Sequence, residues 1–283
     1  MAEERKYSFG SVTYDLNSRT HVMGILNVTP DSFSDGGKYF DQAQAVAFAL
    51  KMIEEGADFI DIGGESTRPG SESISAEEEI RRVVPVIEKL SKLTTVPISI
   101  DTKKAEVAEK ALQAGAVIVN DISGMMSDKE MVHVVARHNA SVVLMHIKGS
   151  PKTMQESPHY QNIVVEIMHS LNNCITMARL KKIKQVIVDP GIGFGKTVEH
   201  NLEILRRLRE FQSLGYPLLI GTSRKSFIGK ILGVEPDERL EGTAASVAVA
   251  VMNGANIVRV HDVKAMKRVV QVVDAIKKHN VIS

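Results

Sequence analysis

The feature that most constrains the fold is an eightfold alternation of short apolar runs with longer amphipathic stretches. The apolar runs are rich in Val, Ile and Leu and do not alternate with polar residues, which is typical of strands buried on both faces of a parallel sheet. The predicted strands are His21–Asn27, Phe59–Gly63, Ile98–Asp101, Val117–Asn120, Val142–His146, Val186–Asp189, Leu218–Gly221 and Ile257–His261.

A stretch with helical periodicity follows each predicted strand. In Asp41–Glu55, apolar residues recur at spacings of three and four, as on one face of a helix. The other predicted helices are Ala76–Leu90, Lys104–Ala114, Asp128–Arg137, Asn162–Lys181, Val198–Glu210, Asp237–Met252 and Val263–Lys278. Eight strand–helix units predict an α/β fold that closes into a (β/α)8 TIM barrel, with an open doubly wound sheet as the alternative.

The composition is that of an ordinary globular protein, with 43% hydrophobic and 24% charged residues in 283. No linker divides the chain, so residues 1–283 are predicted to form one domain, with Lys6–Thr20 as a short hairpin across the barrel floor. A formal net charge of +1 without a basic tail argues against a nucleic-acid partner. Cys174 is the only cysteine, and no apolar run reaches the ~20 residues of a membrane span, so a cytoplasmic protein without membrane partners is expected.

Polar residues cluster where the predicted strands end. In a parallel barrel these ends share one rim, the one that carries active sites. Helix capping would account for some of them, namely Thr102, Asp121, Ser223 and Asp262. Eight polar strand ends on one rim favour a shared small-molecule site instead. The connections after the first and second strands are also long and rich in Gly, Ser, Thr and Asp, which favours two binding loops on that rim.

Two other kinds of site fit the sequence poorly. The segment Asp189–Thr197 resembles a phosphate-binding loop, but Pro190 stands where the motif needs its first glycine, and Lys196 stands where the dinucleotide motif needs its third. The nine histidines include no H-E-x-x-H pair, which argues against a zinc enzyme. Arg259 and His261 would face the same side of a strand, a natural seat for phosphate oxygens.

Seven strings, spread over most of the chain, carry a family resemblance. They are MGILNVTPDSFSDGG (Met23–Gly37), DIGGESTRPG (Asp61–Gly70), SIDT (Ser99–Thr102), NDISG (Asn120–Gly124), DPGIGFGK (Asp189–Lys196), SRKSFIG (Ser223–Gly229) and RVHDV (Arg259–Val263). In this order they resemble the bacterial dihydropteroate synthases, a pterin-binding TIM-barrel family. The first two strings are highly specific together, whereas the last is weak alone.

The resemblance implies a transferase of folate biosynthesis and a sulfonamide target. Members of the family condense 6-hydroxymethyl-7,8-dihydropterin diphosphate with 4-aminobenzoate and release 7,8-dihydropteroate and diphosphate. The implied order is loss of diphosphate first and attack by the amine second. The resemblance also implies Mg²⁺ as cofactor, with Asn27 as the protein ligand, and a homodimer.

Site residues are carried over by their position in these motifs. The implied catalytic residues are Asp101, Arg68 and Lys225. The implied pterin-binding residues are Asp101, Asn120, Met145, Asp189, Phe194, Lys225 and Arg259. The implied diphosphate-binding residues are Asn27, Thr67, Arg68, Arg259 and His261. The implied aminobenzoate-binding residues are Phe33, Thr67, Arg68, Pro69, Lys225 and Ser226.

Two alternative functions remain at this point. A methyltetrahydrofolate-binding barrel would keep the pterin aspartates and asparagine but would not need the T-R-P-G and S-R-K-S strings, which favour the synthase. A pterin-binding or scaffold protein without activity is the second alternative, and the complete anion and pterin motifs argue against it.

Overall fold

A computed structural model describes residues 5–29, 37–66, 73–149, 154 and 158–278. Its central element is a parallel sheet of eight strands. The strands are β3 (His21–Asn27), β4 (Phe59–Gly63), β5 (Ile98–Asp101), β6 (Ile118–Asp121), β7 (Ser141–Met145), β8 (Val186–Asp189), β9 (Leu219–Ile220) and β10 (Ile257–Val260). They pair in the order β8-β7-β6-β5-β4-β3-β10-β9, and a parallel bridge between Val188 and Leu218 joins the two outer strands. The sheet therefore forms the predicted barrel rather than an open sheet.

Nine α-helices surround the barrel in the described part of the chain. They are α1 (Gly37–Glu54), α2 (Ala76–Leu90), α3 (Ala105–Gln113), α4 (Met131–Arg137), α5 (Ile163–Leu180), α6 (Val198–Arg206), α7 (Ser226–Leu232), α8 (Leu240–Met252) and α9 (Val263–Lys278). The prediction of eight helices missed α7, whose seven residues include Gly229, a poor helix former. The 3₁₀ segments Leu208–Leu214 and Pro236–Glu238 shorten two predicted helices, at the end of α6 and the start of α8.

The N-terminal hairpin closes the bottom of the barrel, as predicted. Its strands β1 (Lys6–Phe9) and β2 (Val12–Asp15) pair antiparallel. Phe9 is buried and meets Phe59, the first residue of β4, edge to face at 5.0 Å between ring centroids. The Tyr7 hydroxyl donates to the Val186 carbonyl over 2.8 Å. The hairpin and the first residues of several strands thus form one apolar cluster, which leaves the opposite rim for polar side chains.

Most of the apolar core lies between the barrel and the helices. Glycines in the left-handed conformation end helices just before strands, as predicted, with φ of +101° at Gly56, +118° at Gly115 and +100° at Gly254. A Cβ at Gly115 would lie 2.6 Å from that of Ser91, so this turn also needs the small residue. Among the described helices, none has the length and apolar character needed to cross a membrane.

The connections above the rim are uneven in length. Residues 28–36 and 64–75 are the two long connections predicted after β3 and β4, and both extend beyond the 2–6 residues usual for such turns. Residues 146–162, between β7 and α5, form a third and longer connection. All three begin at the carboxyl ends of their strands, and each contains residues outside the described part of the chain.

Candidate active site

The barrel mouth brings together polar side chains from separate strands. Asp101 and Asn120, the last and third residues of β5 and β6, are paired in register. Met145 and Asp189 end β7 and β8 as another pair in register. All four side chains are buried. Parallel pairing therefore sets the predicted pterin residues side by side, although they lie far apart in the sequence.

One part of the mouth is a buried ion cluster, which we call the Arg259 cluster and define as Asp61, Asp101, Asn120 and Arg259. The Arg259 guanidinium donates from Nε to Asp61 over 2.6 Å and from Nη2 to Asp101 over 2.7 Å. The same Asp61 oxygen accepts a hydrogen bond of 2.9 Å from the Asn120 amide. A single guanidinium thus serves two buried carboxylates, and the cluster is negative when both are ionised.

The charge of Asp101 is finely balanced. Burial raises its pKa to about 7, the Arg259 charge opposes the rise, and the Asp61 charge adds to it. One carboxylate oxygen of Asp101, Oδ1, is buried and has no hydrogen-bond partner among the described residues. A buried oxygen without a partner is costly to leave unpaired, so it is available to a bound ligand.

A second part of the mouth is the Asp189 group, defined as Asp189, Phe194 and Lys225. Asp189 accepts a hydrogen bond of 2.7 Å from the Gly191 backbone N–H. The Lys225 ammonium lies 4.4 Å from the centre of the Phe194 ring and donates to the Ile192 carbonyl. Burial raises the pKa of Asp189 and lowers that of Lys225 to about 8. An acceptor, a donor and an aromatic face thus lie together on one side of the mouth.

Two residue pairs surround the end of β10. Ser223 contacts His261 twice, through Oγ and Nδ1 at 3.0 Å and by accepting the His261 backbone N–H at 3.1 Å. Arg224 forms a two-bond ion pair with Asp262, at 3.0 and 2.6 Å. These two contacts with Ser223 fix His261 at the rim, as a residue that binds an anion would need.

The capping interpretation was wrong for three of the four residues to which it was applied. The N-caps of α3, α4 and α7 are Lys104, Glu130 and Lys225, and none of them makes a side-chain capping bond. Thr102 and Asp121 instead accept backbone N–H groups two residues ahead, at 3.2 and 2.7 Å. These polar strand ends stabilise the rim turns, a local role that residue type alone does not distinguish from capping.

Asn27 ends β3 next to the Arg259 cluster. A Cβ at Gly63, on the neighbouring strand, would lie 3.9 Å from Asn27 Oδ1 and 3.8 Å from Asp101 Oδ2. The glycine therefore keeps room between an amide oxygen and a carboxylate oxygen, the ligand types that Mg²⁺ prefers. Ser226 is exposed at the start of α7. The predicted residues Phe33, Thr67, Arg68 and Pro69 lie outside the described residues.

Sequence reasoning missed Glu65, which connects the described residues on either side of the segment 67–72. Its carboxylate accepts hydrogen bonds from the Ser73 hydroxyl at 3.0 Å and the Ile74 N–H at 3.1 Å. It also forms ion pairs with Lys103 at 3.1 Å and Lys104 at 2.5 Å. These contacts hold its pKa at about 2 against the opposing effect of burial. The base of the second long connection is thus tied to the end of β5.

Asp61 was missed as well. It lies within the apolar run of β4 and is fully buried, so its signals in the sequence are a carboxylate in the middle of a buried strand and its place at the start of the string DIGGESTRPG. A cavity of about 350 Å³ opens beside the site on the same rim. It is lined by Lys103, Lys104, Ser123, Ser127 and other residues, none of which was predicted to bind a substrate.

Comparison with known proteins identifies the family. The family described as pterin binding enzyme matches residues 23–261. The chain belongs to the pterin-binding enzymes. Within this family, dihydropteroate synthase from Synechocystis sp. is 50% identical over 270 residues, covering 94% of this chain and 93% of that protein. The family predicted from the seven strings is thereby confirmed.

Solved structures of pterin-binding enzymes share the fold. Dihydropteroate synthase from Yersinia pestis, in a sulfonamide drug complex, superposes with a TM-score of 0.92 at 42% identity over 97% of this chain and all of that one. The enzyme from Xanthomonas albilineans with 4-aminobenzoic acid gives a TM-score of 0.91 at 41% identity, over 97% and 99% of the two chains. The predicted TIM barrel is confirmed by this likeness as well as by the strand order.

Proposed function

We propose that this chain is a dihydropteroate synthase, which condenses 6-hydroxymethyl-7,8-dihydropterin diphosphate with 4-aminobenzoate. The observation that most supports this function is the Asp189 group, a buried carboxylate beside a lysine and an aromatic ring at the mouth of a pterin-binding barrel. The pterin 2-amino and N3–H groups are adjacent donors, which a carboxylate accepts as a fork. Close relatives that are dihydropteroate synthases, with sulfonamide and 4-aminobenzoic acid complexes among them, support the same reaction.

The remaining pterin contacts follow from the chemistry of the ring. Lys225 donates to the ring carbonyl, and Phe194 covers one face of the pterin. Met145 and the Arg259 guanidinium plane cover the other. Asp101 and Asn120 complete the polar edge. Three of these residues are partly exposed at the mouth, namely Phe194, Lys225 and Arg259, and the others are buried there.

The diphosphate is assigned to the rim next to the Arg259 cluster. Asn27, Thr67, Arg68, Arg259 and His261 would hold its oxygens through charge-assisted hydrogen bonds. Mg²⁺ would be shared between Asn27 and the phosphate oxygens, since Gly63 leaves room at the Asn27 amide oxygen. The ion would neutralise the charge that develops on the leaving diphosphate. The few protein ligands suit Mg²⁺, which keeps several waters.

The reaction proposed for this site is dissociative. The C–O bond to diphosphate breaks first and leaves a cation at the pterin methylene carbon, which the electron-rich ring stabilises. Asp101 adds electrostatic stabilisation through the carboxylate oxygen that has no protein partner among the described residues. The amine of 4-aminobenzoate, which is assigned by motif position to Phe33, Thr67, Arg68, Pro69, Lys225 and Ser226, then attacks that carbon, and the new C–N bond is completed when the amine releases a proton to solvent. No covalent bond to the protein is needed.

A product assay tests this function directly. Purified protein should form dihydropteroate and diphosphate in equal amounts when the pterin diphosphate, 4-aminobenzoate and Mg²⁺ are all present. Omitting 4-aminobenzoate should abolish dihydropteroate, and chelating Mg²⁺ should slow diphosphate release. Tight pterin binding without any dihydropteroate would instead support the inactive pterin-binding protein, and methyl transfer from methyltetrahydrofolate would support the other barrel function.

A homodimer is proposed from the surface of three neighbouring helices. Large apolar side chains are exposed on α6, α7 and α8, with 45% of Leu202, 53% of Ile231 and 44% of Val249 accessible. The three helices contact one another, and an apolar surface shared by neighbouring helices would suit packing against a second copy of the chain. Sedimentation should therefore give twice the 31.0 kDa chain mass. The cytoplasmic location and the lack of nucleic-acid and membrane partners stay predictions from the sequence.

A further inference from the structure

Lys196 has no part in the reaction described above, although it is almost completely buried at the active-site end of the barrel, with 2% of its surface exposed. Its ammonium contacts the Phe194 carbonyl at 2.9 Å, the His146 Nδ1 at 3.1 Å and the His146 carbonyl at 3.4 Å. Burying a lysine without a carboxylate bonded to it is costly, so a buried lysine of this kind needs a compensating role.

The role is indicated by the two segments that Lys196 joins. The glycine-rich turn of residues 190–197 lies directly against residues 146–148, since a Cβ at Gly191 would be 1.9 Å from the His146 carbonyl oxygen and one at Gly195 would be 2.2 Å from that of Lys148. Both glycines have positive φ, at +74° and +65°. The turn is therefore tightly fitted, and Lys196 is the charged side chain that hydrogen-bonds to both segments.

The contact with Phe194 connects this turn to the substrate site. Lys196 holds the backbone carbonyl of Phe194, whose ring faces the Lys225 ammonium at 4.4 Å. The rest of the turn is fixed independently, by the Tyr160 hydroxyl on the Gly195 carbonyl at 2.9 Å and by the Asn201 side chain on the Gly193 N–H at 2.7 Å. Removing the Lys196 contacts should thus affect the placement of Phe194 more than the presence of the turn.

The hydrogen bonds of this link can persist in either charge state. Burial lowers the pKa of Lys196 well below its usual value, with the Asp189 charge opposing, and burial lowers that of His146 to about 3. His146 is therefore a neutral imidazole near neutral pH. Its Nδ1 can accept from the ammonium form of Lys196, or donate to the amine form while the two remaining N–H groups serve the two carbonyls.

We propose that Lys196, braced by His146, is a positioning residue that sets the Phe194 ring against the pterin. The proposal rests on the function proposed above, because it takes the Asp189 group to be the pterin site. It explains why the sequence places a lysine after this glycine-rich segment although the phosphate-loop pattern fails: the ammonium turns inward to two backbone carbonyls and an imidazole.

A double-mutant cycle on pterin binding tests this role. The probe is 6-hydroxymethylpterin, whose own fluorescence reports binding to a chain that has no tryptophan. Lys196→Met is close in volume but has no donor, and it should weaken pterin binding about tenfold, the size of one lost buried hydrogen bond. In a Phe194→Ala background the same change should weaken binding by about twofold or less, because the ring that Lys196 positions is gone.

Equal losses in the two backgrounds, or no loss in either, would overturn the proposal. Lys184→Met, at an exposed lysine, is the matched control and should leave binding unchanged. If circular dichroism shows Lys196→Met to be unfolded, Lys196→Leu, which also lacks a donor, is judged by the same criterion.

The role of Lys196 and the proposed function can be tested independently of each other. A wild-type chain that binds the pterin but makes no dihydropteroate would refute the synthase reaction, while the cycle would still decide the role of Lys196. In an active chain, the apparent KM for 4-aminobenzoate should change little in Lys196→Met, which a general loss of structure would not spare.

Discussion

The two buried carboxylate sites of the barrel mouth differ in how their charge is balanced. Asp101 is bonded directly to Arg259 at 2.7 Å and shares that guanidinium with Asp61 at 2.6 Å. Asp189 is held by a backbone N–H, and within the described part of the chain no lysine or arginine makes an ion pair with it. Three nearby basic residues, Lys225, Lys196 and Arg259, act on it only through space.

This difference separates two tasks. The Arg259 cluster is assembled before any ligand arrives, and its two carboxylates exceed its one guanidinium in charge when both are ionised. Such a preorganised negative site suits stabilisation of a developing cation. Asp189 keeps acceptor capacity for an incoming ligand, which suits recognition of a neutral donor edge. One side of the mouth is therefore suited to the chemical step and the other to binding.

Removing Arg259 should have the largest effect. In Arg259→Met two buried carboxylates lose their counterion, so we expect a loss of about 3–5 kcal/mol in the free energy of unfolding at pH 8. The pKa of Asp101, already raised to about 7 in the folded state, rises further without Arg259. A raised folded pKa contributes stability at low pH that is lost as the pH rises, so the deficit should be smaller at pH 5.

Urea unfolding at the two pH values measures this deficit, with Arg206→Met as the control at an exposed arginine. An equal loss of unfolding free energy at pH 5 and pH 8 would show that Arg259 contributes through packing alone. The two carboxylate sites would then not differ in how their charge is balanced.

Asp101→Asn should separate catalysis from binding. If the carboxylate stabilises the methylene cation, turnover falls by about 10²–10³-fold, while pterin affinity changes much less. Because the pKa of Asp101 is about 7, the wild-type enzyme should also lose kcat/KM below that pH as the carboxylate is protonated. Initial rates from pH 5.5 to 8.5 measure both effects. Wild-type turnover in Asp101→Asn would exclude the proposed role.

The sequence predicted the structure best where the structure depends on residues that are neighbours in the chain. Strands β3, β4, β5 and β8 and helices α2 and α9 have the predicted bounds, because buried apolar runs and amphipathic periods are properties of consecutive residues. The seven strings also brought Asp101, Asn120 and Asp189 into one predicted site, and the structure places them at one rim.

Other parts of the site depend on contacts that no short pattern contains. Arg259 pairs with Asp61 and Asp101, which lie 198 and 158 residues away in the sequence. Lys196 meets His146 across 50 residues. Burial and pairing, rather than residue type, determine the pKa values here, and both follow from barrel closure. Helix α7 was missed for a different reason, since it is short and has Gly229, a poor helix former, in its interior.

Asp189→Asn probes the other side of the comparison. Its amide presents an N–H₂ group to the pterin donors, so we expect pterin affinity to fall about 10–100-fold, the range for charge-assisted hydrogen bonds. The free energy of unfolding should change little at pH 8, because Asp189 has no ion-pair partner to lose within the described residues. Fluorescence titration with 6-hydroxymethylpterin measures the affinity. An affinity loss no greater than that of Asp101→Asn would mean that the two carboxylates share the binding task.

The smallest effect concerns the wild-type pH profile above neutrality. Partial burial lowers the pKa of Lys225 to about 8, so its ammonium, the donor proposed for the pterin carbonyl, is lost as the pH rises through that value. Pterin affinity should then fall by up to about tenfold between pH 7 and pH 9.5, since a charge-assisted donor becomes a neutral one. Lys225→Arg keeps its charge over this range, so its pterin affinity should no longer fall between pH 7 and pH 9.5. Lys184→Arg, at an exposed lysine, should show the same fall as the wild type. If the affinity of Lys225→Arg still falls over this pH range, the titrating group is not Lys225. The Asp189 group would then bind the pterin through its geometry rather than through the charge of its lysine.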